Sequence, residues 1–596
     1  MPGILGFVGG RESPGEAQQT LSRMRELLSH GDARHIDELF RDGRVCATRS
    51  HTNLIQPQPQ PHTAGGAHIW LDGEFYNRAE LALSLGEEAR SGAQVSDPAL
   101  LLALYRQSND FNQQPDGFDF LRRIDGVYAA VIYDAAARRV HLISDRHGLR
   151  HLFWMARGDG GAWASEVKAM LALPGFEPKI ERASVEDFFE VGHMTGDRTW
   201  FEGVELLPAA TVLTWRLDER SVSRRRYWSA DEIKPLPEAT DAIELAEELG
   251  RRFRAAVERR SRAGERTGLK LSGGLDSRAI LAAMPERGAP LHAVTFGKRD
   301  CEDARIAASA AAAKGARHHA WEMDAARWLP PRLEAVWWTD GEFDLMHMHV
   351  ITILPRVREL FDIGLDGCGA NGIIGDSWAG LGMAGGPPEY IDGRTRRFLI
   401  LGPTTVRGYV EERLPFFDNE FLELALAAPA RLKLHNTLYR MMLLKSFPEF
   451  FEHIPWQKTG SPIRWPRPDE SRRKSLVEVK ESLLYKLSWF GITSPPKRGY
   501  ADYSTWMRHE PARSIFKEVL GSPSALYPEY VPRARVEGDL AKHFGGRDRA
   551  GYLGLALTFE IWLRQVFEGK YRTAPTQVRT GASASAETRD ERTQHA

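Results

Sequence analysis

Between Leu269 and Ile280 the chain reads LKLSGGLDSRAI: an apolar strand, a Ser-Gly-Gly turn and an aspartate-bearing helix start in immediate succession. Gly273 and Gly274 carry no Cβ, so the backbone can approach a ligand closely, while Leu271 closes the strand. Ser272 and Ser277 bring hydroxyls to the N-terminus of the new helix, where the helix dipole presents roughly half a positive charge. Asp276 fits beside phosphates when it holds magnesium, a hard cation that takes carboxylate and phosphate oxygens together. The pattern predicts a pyrophosphate clamp for Mg-ATP. It is not the Walker form, which ends Gly-Lys-Ser or Gly-Lys-Thr. Arg278 follows the serine here, and phosphoryl transfer of the kinase kind is disfavoured.

Positioning such a loop takes a βαβ unit, and one is legible. A strand at 291–296 (LHAVTF) and a helix at 304–314 follow the loop. Upstream, Leu245, Leu249, Phe253 and Val257 fall on one face of a helix predicted over 242–262, with Glu247/Arg251 and Glu248/Arg252 as i,i+4 pairs on the other. Strands near 269, 291 and 363 alternate with helices, which predicts a parallel α/β sheet. After about residue 395 the pattern turns mostly helical. Residues 1–228 differ: short strands at 4–8, 45–48, 67–71, 126–133, 140–144, 152–155 and 210–215, and helices at 17–28, 97–106 and 184–189, predict a layered α+β domain. Residues 229–241, with two prolines and many acids, read as a linker. The synthetic half then runs over 242–572, and 573–596, almost without large apolar residues, reads as a disordered tail.

Composition sets the outer bounds. A chain of 596 residues should divide into at least two domains, and 42% hydrophobic with 27% charged residues suits a globular protein. A net charge of -1 provides no general field for nucleic acid or an acidic membrane. Cys46, Cys301 and Cys368 are widely separated, without metal-ligand or disulfide spacing. No apolar run approaches a membrane span and the start lacks a signal pattern, so a cytoplasmic location is expected.

SGGLDS is similar to the pyrophosphatase loop of enzymes that cleave ATP to AMP and pyrophosphate, and the chain resembles the asparagine synthetase family in particular. The resemblance continues through LDGEFYNRAEL at 71–81, IDGVYAAVIYD at 124–134, SDRHGLRHLFW at 144–154, WASEVKAML at 163–171, GDRTWFEGVELLP at 196–208, LDGCGANGIIGD at 365–376, EERLPFFDNEFLELALAAPARLKL at 411–434 and HIPWQKTGSPI at 453–463. It implies an Ntn-hydrolase-like glutaminase domain followed by a pyrophosphatase-loop synthetase domain, with ATP and magnesium as cofactors and a homodimer as one assembly. It further implies that Phe296, Gly297, Asp366 and Gly367 line the nucleotide, that Asn371 stands at the second magnesium position opposite Asp276, and that Lys458 neutralises charge on the α-phosphate as the second catalytic group.

The departures are as informative as the matches. Family glutaminases begin Met-Cys-Gly-Ile, the cysteine being the nucleophile; here Pro2 takes its place and offers no side-chain nucleophile. Asp72 replaces the family asparagine of the Asn-Gly-Glu strand, with Gly73 and Glu74 retained, and Arg49 and Asp97 stand where the family contacts glutamine. These residues are expected to be a vestigial glutamine site. In the synthetase half, Cys368, Asn371 and Gly372 replace three acids. The expected reaction is adenylation of a carboxylate (an amino acid, peptide or sugar acid) and its capture by ammonia or an amine that the chain's own glutaminase does not supply. Lasso-peptide macrolactam and β-lactam synthetases, similar relatives lacking the glutaminase cysteine, suggest intramolecular cyclisation as an alternative. A non-catalytic scaffold with both sites decayed is another.

Overall fold

A computed structural model of the chain describes residues 2–9, 13–28, 35–85, 95–112, 117–158, 160–286, 290–465 and 499–572. The tail expected at 573–596 lies outside these residues.

The N-terminal half is built as four layers. One sheet is centred on β1 (Gly3–Val8), which pairs antiparallel with β2 (Val45–His51) on one side and, further along the chain, with Gly160–Ala164 on the other. A second antiparallel sheet runs through β3 (Ala67–Phe75), β4 (Gly126–Asp134), β5 (Arg139–Ser144) and two later strands. The facing sides meet through Ile4, Val8, Trp70, Val131, Leu142, Trp163 and Trp215, which alternate inward as a two-residue period requires. α1 (Pro14–Leu28) covers the outer face of the first sheet through Leu21, Met24 and Leu28. α2 (Asp97–Asn112) covers the second through Leu100, Leu101 and Leu104. Cys46 is buried in β2, and Trp70, Trp154 and Trp200 are buried too, as their apolar surroundings predict.

Several short or polar strands escape the sequence pattern, and two of them show why. Gly160–Ala164 (β6) consists of small residues and one Trp, and Ser221–Arg226 (β7) is a polar edge strand paired with Thr211–Arg216. The arginines of β7 are exposed, as a charged edge that discourages further pairing should be.

The C-terminal half holds a five-stranded, all-parallel sheet. Its strands are β8 (Thr267–Lys270), β9 (His292–Gly297), β10 (Arg317–Glu322), β11 (Ile363–Leu365) and β12 (Glu411–Arg413), in the order β10-β9-β8-β11-β12. The central strands are apolar because helices cover both faces. α3 (Ala242–Arg260) packs Leu245, Leu249, Phe253 and Val257 inward, as its periodicity predicts. Its Glu248/Arg252 pair forms at 2.7 Å, but Glu247 instead pairs with Lys445 and Arg251 with Glu248, because a neighbouring helix brings a lysine within reach. Residues 229–241 are not featureless: Ser229 and Glu232 form a capping box, and the Leu236 amide donates to the Ala427 carbonyl. From β8 the chain winds to β9 on one side, and later reaches β11 on the other. The switch point, where open parallel sheets bind ligands, therefore falls between the ends of β8 and β11.

Candidate active site

The loop after β8 and the loop after β11 meet at that switch point and line one cavity of about 530 Å³. That is the size range of nucleotide and small-molecule sites. Its wall contains Leu271, Ser272, Gly274, Asp276, Ser277, Phe296, Asp366, Gly367 and Asn371, so most of the predicted nucleotide residues are brought together. Gly273 and Gly297 serve it from behind. A Cβ at Gly273 would lie 2.7 Å from Gln457 Cβ, and one at Gly297 2.9 Å from the Tyr500 carbonyl oxygen. Gly367 is required for the same reason, since a Cβ there would sit 2.8 Å from Asp276 Cβ.

The helix after the loop, α4 (Leu275–Ala283), places Asp276 in its first turn. Ser277 holds the loop in shape: the Ser272 amide donates to its hydroxyl at 3.1 Å, and the two serine hydroxyls are 3.1 Å apart. The Gly273 amide donates to Asp303 at 2.8 Å, so that N–H is committed to a carboxylate. Arg278 turns away from the cavity. Its Nε donates to the Gly274 carbonyl and its Nη1 to those of Phe450 and Ile454, so it staples the loop to the segment that leads to Lys458.

Asp276 accepts a hydrogen bond from the Tyr439 hydroxyl at 2.8 Å. Burial, and after the opposing Tyr439 bond the nearby Asp366 charge, push its carboxyl up to about 6. Two carboxylates converging in a half-enclosed cavity are a donor set for a hard cation, and the residues present fit magnesium through Asp276 and Asp366. Asn371 lines the cavity, but its side-chain oxygen is buried against Gly375 without a hydrogen-bond partner. Asp276, Asp366 and Asn371 thus all line the one cavity. Where the family carries its last acid, Gly372 makes room for the Tyr390 ring, which a Cβ would strike.

Several participants carry no local signature. Lys270, the last residue of β8, lines the cavity and bridges Asp366 (2.8 Å) and Glu412 (3.0 Å). Burial alone would discharge it, but the two carboxylates more than compensate and raise its pKa. Burial conversely pushes Glu412 up to about 7, against the pull of Lys270. The Cys368 thiol is held well above its usual range by burial and by Asp366, so it stays protonated. Alternating charges at the ends of β8, β11 and β12 become visible only when the parallel register sets Leu269 beside Leu365 and Leu365 beside Arg413.

Among the described residues, Lys458 is not part of the cavity wall. It sits on a turn closed by an isolated bridge between Trp456 and Ser461, its ammonium 5.5 Å from the Trp456 ring centre. The preceding Gln457 amide donates to the Gly273 carbonyl at 3.1 Å, so the turn rests directly on the pyrophosphate loop.

The predicted glutamine site is internally satisfied. Arg49 donates to Asp37 at 2.6 Å and to the carbonyls of Gln56 and Gln58 at 2.9 Å each, one bond from each guanidinium nitrogen. Asp97 is bound by Arg78 at 2.8 Å and by the Phe75 amide at 2.9 Å, and burial pushes it up to about 6. Asp72 and Glu74 are drawn across the domain boundary: Arg407 holds Asp72 at 2.6 Å, and Arg413 holds Glu74 at 2.5 Å. Gly73 sits between them at φ 122°, with no space for a side chain against Val127 and Tyr128. Pro2 is buried beside β1.

Comparison with known proteins gives two domain matches: glutamine amidotransferase over residues 1–228 and asparagine synthase over residues 248–377. The glutamine-hydrolyzing asparagine synthetase 3 of Bacillus subtilis is 26% identical over 306 residues, 49% of this chain and 47% of that protein. The glutamine-hydrolyzing asparagine synthetase of Gallus gallus is 26% identical over 454 residues, 71% of this chain and 74% of its own. A Gibberella zeae protein named as an amidase is 26% identical over 304 residues, 47% of this chain and 42% of its own. The chain thus spans about half the length of the Bacillus and Gibberella relatives.

Proposed function

We propose that the chain, which matches a glutamine amidotransferase domain and an asparagine synthase domain, is a member of the asparagine synthetase family and an ATP-dependent, AMP- and pyrophosphate-forming amide ligase whose nitrogen does not come from its own N-terminal domain. The observation that carries this reading is the convergence of Ser272, Asp276, Ser277 and Asp366 on one cavity at the sheet's switch point. The loop after β8 receives the pyrophosphate portion of ATP. Magnesium held by Asp276 and Asp366 would supply charge neutralisation to the phosphates. A substrate carboxylate attacks the α-phosphorus and pyrophosphate leaves, and a nitrogen nucleophile then displaces AMP from the acyl group. Holding both reactants in one cavity makes each step effectively unimolecular.

Lys458 is assigned to the α-phosphate. The Gln457–Gly273 contact places its turn at the pyrophosphate loop, and a lysine chain is long enough to extend from that turn toward the cavity. The N-terminal domain is read as a structural partner: its glutamine-contacting side chains are committed to protein groups, and Pro2 provides no thiol. The amidase-named relative supports the view that this plan serves more than one amide chemistry.

Pyrophosphate release from Mg-ATP, measured with a panel of amino acids, short peptides and uronic acids, tests the assignment. Asp276→Ala and Lys458→Ala should each lose about a hundredfold or more of the wild-type rate, the scale for removing a charge-stabilising group. Unchanged turnover in Asp276→Ala would contradict it.

A further inference from the structure

The part of the cavity away from the pyrophosphate loop is walled by Phe343, Met348, Val350, Phe398, Leu399 and Pro403, with His347 among them. Three of its rings form a cluster: Phe343 and Phe398 are 5.4 Å apart, His347 and Phe398 5.0 Å, and Phe343 and His347 6.0 Å. Phe398 and Leu399 come from a wide π-helical turn at Ile391–Leu399, a departure from α geometry that often marks functional sites. His347 ends the short 3₁₀ turn Leu345–His347, and Asp344 caps that turn.

Asp344 lies directly behind the imidazole. Its Oδ2 is 3.5 Å from His347 Nδ1, while its Oδ1 accepts from the Met346 amide at 2.9 Å and the Thr558 hydroxyl at 3.4 Å. The carboxylate is buried and fixed, whereas the imidazole is 47% exposed and lines the cavity. Among the described residues no hydrogen bond occupies His347 Nε2. His349, two residues on, is the contrasting case. Its Nδ1 lies 2.8 Å from the Tyr503 hydroxyl and its Nε2 2.8 Å from that of Tyr500, and burial together with Arg332 keeps it neutral. It is a structural histidine. A cavity-facing imidazole backed by a fixed carboxylate is the arrangement of a general base with its orienting partner.

We propose that His347 is the general base of the acyl-transfer half-reaction, taking a proton from a primary amine whose carbon skeleton lies against Phe343 and Phe398. This rests on the ligase reading above and specifies its nitrogen donor: an amine on an apolar or aromatic group rather than ammonia. The amine nitrogen forms a bond to the acyl carbon, and the bond from that carbon to the adenylate oxygen breaks, its electron pair leaving with AMP. The proton lost by nitrogen passes to Nε2 and thence to solvent. Asp344 is a positioning residue, holding the tautomer that presents Nε2 as acceptor. The charged and titratable groups around His347 are Asp344 on its own turn, His349, Arg394 over the Phe398 ring, Tyr390 and Tyr500 in the cavity wall, and Lys270 and Asp366 across it.

The test separates the two half-reactions. Wild type, His347→Gln and Asp344→Asn are assayed for ATP–pyrophosphate exchange with a pool of common amino acids, glycylglycine and glucuronic acid, then for acyl capture by benzylamine and by hydroxylamine. Hydroxylamine is already unprotonated near neutrality and needs no base. The proposal predicts that His347→Gln keeps exchange and hydroxamate formation within about twofold but loses on the order of a hundredfold of benzylamide formation at neutral pH. That loss should shrink as pH rises and the amine deprotonates unaided, and Asp344→Asn should show a smaller loss of the same pattern. Benzylamide formation at the wild-type rate by His347→Gln would overturn the proposal while leaving the ligase reading intact, and so would equal loss of both captures. Absence of exchange in the wild type would overturn both.

Discussion

Glu342, one residue before the cavity's Phe343, has both carboxylate oxygens buried without a hydrogen bond, and the nearest cation, Arg397, is 3.5 Å away. Burial dominates and pushes its carboxyl up to about 7. The folded protein therefore holds this proton more tightly than the unfolded chain, and stability falls as pH rises from the ordinary glutamate range through about 7. Above that value the full cost, on the order of 1–3 kcal/mol, is present. Glu342→Gln should consequently gain on the wild type as pH is raised from 5 to 8, read as a widening difference in melting temperature. A difference that stays constant or narrows would contradict the raised pKa of Glu342. At this scale the sequence is legible where chemistry is contiguous. Ser272, Asp276 and Ser277 declare themselves within one motif, and Asp366 and Asn371 within one loop. Asp303 and His347, which line the cavity, and Glu412 and Tyr439, which contact Lys270 and Asp276, do not, because packing brings them there from segments far along the chain; Lys270 stands within the motif, but its role shows only through its bridge to Asp366 and Glu412.

Between elements, the most consequential contacts are ionic and cross the domain boundary. Arg413, at the end of β12, is wholly buried and binds Glu74 of β3 through two nitrogens while also holding Glu265 at 2.8 Å. Arg150 pairs with Glu411 at 2.5 Å, and Arg260 with Asp125 at 3.0 Å. The strand that resembles a glutamine-binding strand is thus a structural seam. Arg413→Met leaves Glu74 buried with only part of its counter-charge, and should cost about 3–5 kcal/mol, the range for breaking a buried pair. A urea midpoint within error of the wild type would refute the seam. Element types are readable in advance because the apolar periods of α3 and of the strands are strong. The β6 strand is not, since glycine and alanine give no β signature and its pairing with β1 depends on close approach to Trp215 and Val8. Helical spacing gives Glu247 the wrong partner for a related reason: Lys445 belongs to a helix distant in sequence.

For the whole molecule, two domains share one boundary but take different chemical roles. The N-terminal layers match a glutamine amidotransferase domain, and the residues proposed as its glutamine contacts pair with Asp37, Arg78 and Arg407, whereas the C-terminal sheet keeps an accessible cavity at its switch point. Among the described residues, no helix is long and apolar enough to cross a membrane. The loss of three family acids at 368, 371 and 372 suggests decay when the sequence is read alone. The fold offers compensation: Asp366 faces Asp276, Lys270 neutralises the neighbourhood, and Tyr390 fills the space over Gly372. The proposed function divides the labour accordingly: a ligase site in the C-terminal domain, with nitrogen supplied from outside the chain.

The most direct test of that claim is a side-by-side measurement of amide product, AMP and glutamate, with Mg-ATP and a free carboxylate that supports pyrophosphate release, giving the protein either a free amine or glutamine as the nitrogen source. The account predicts amide and AMP in equal amounts with the amine, and neither amide nor released glutamate with glutamine. Glutamate release coupled to amide formation would contradict it, as would failure to consume ATP with either source.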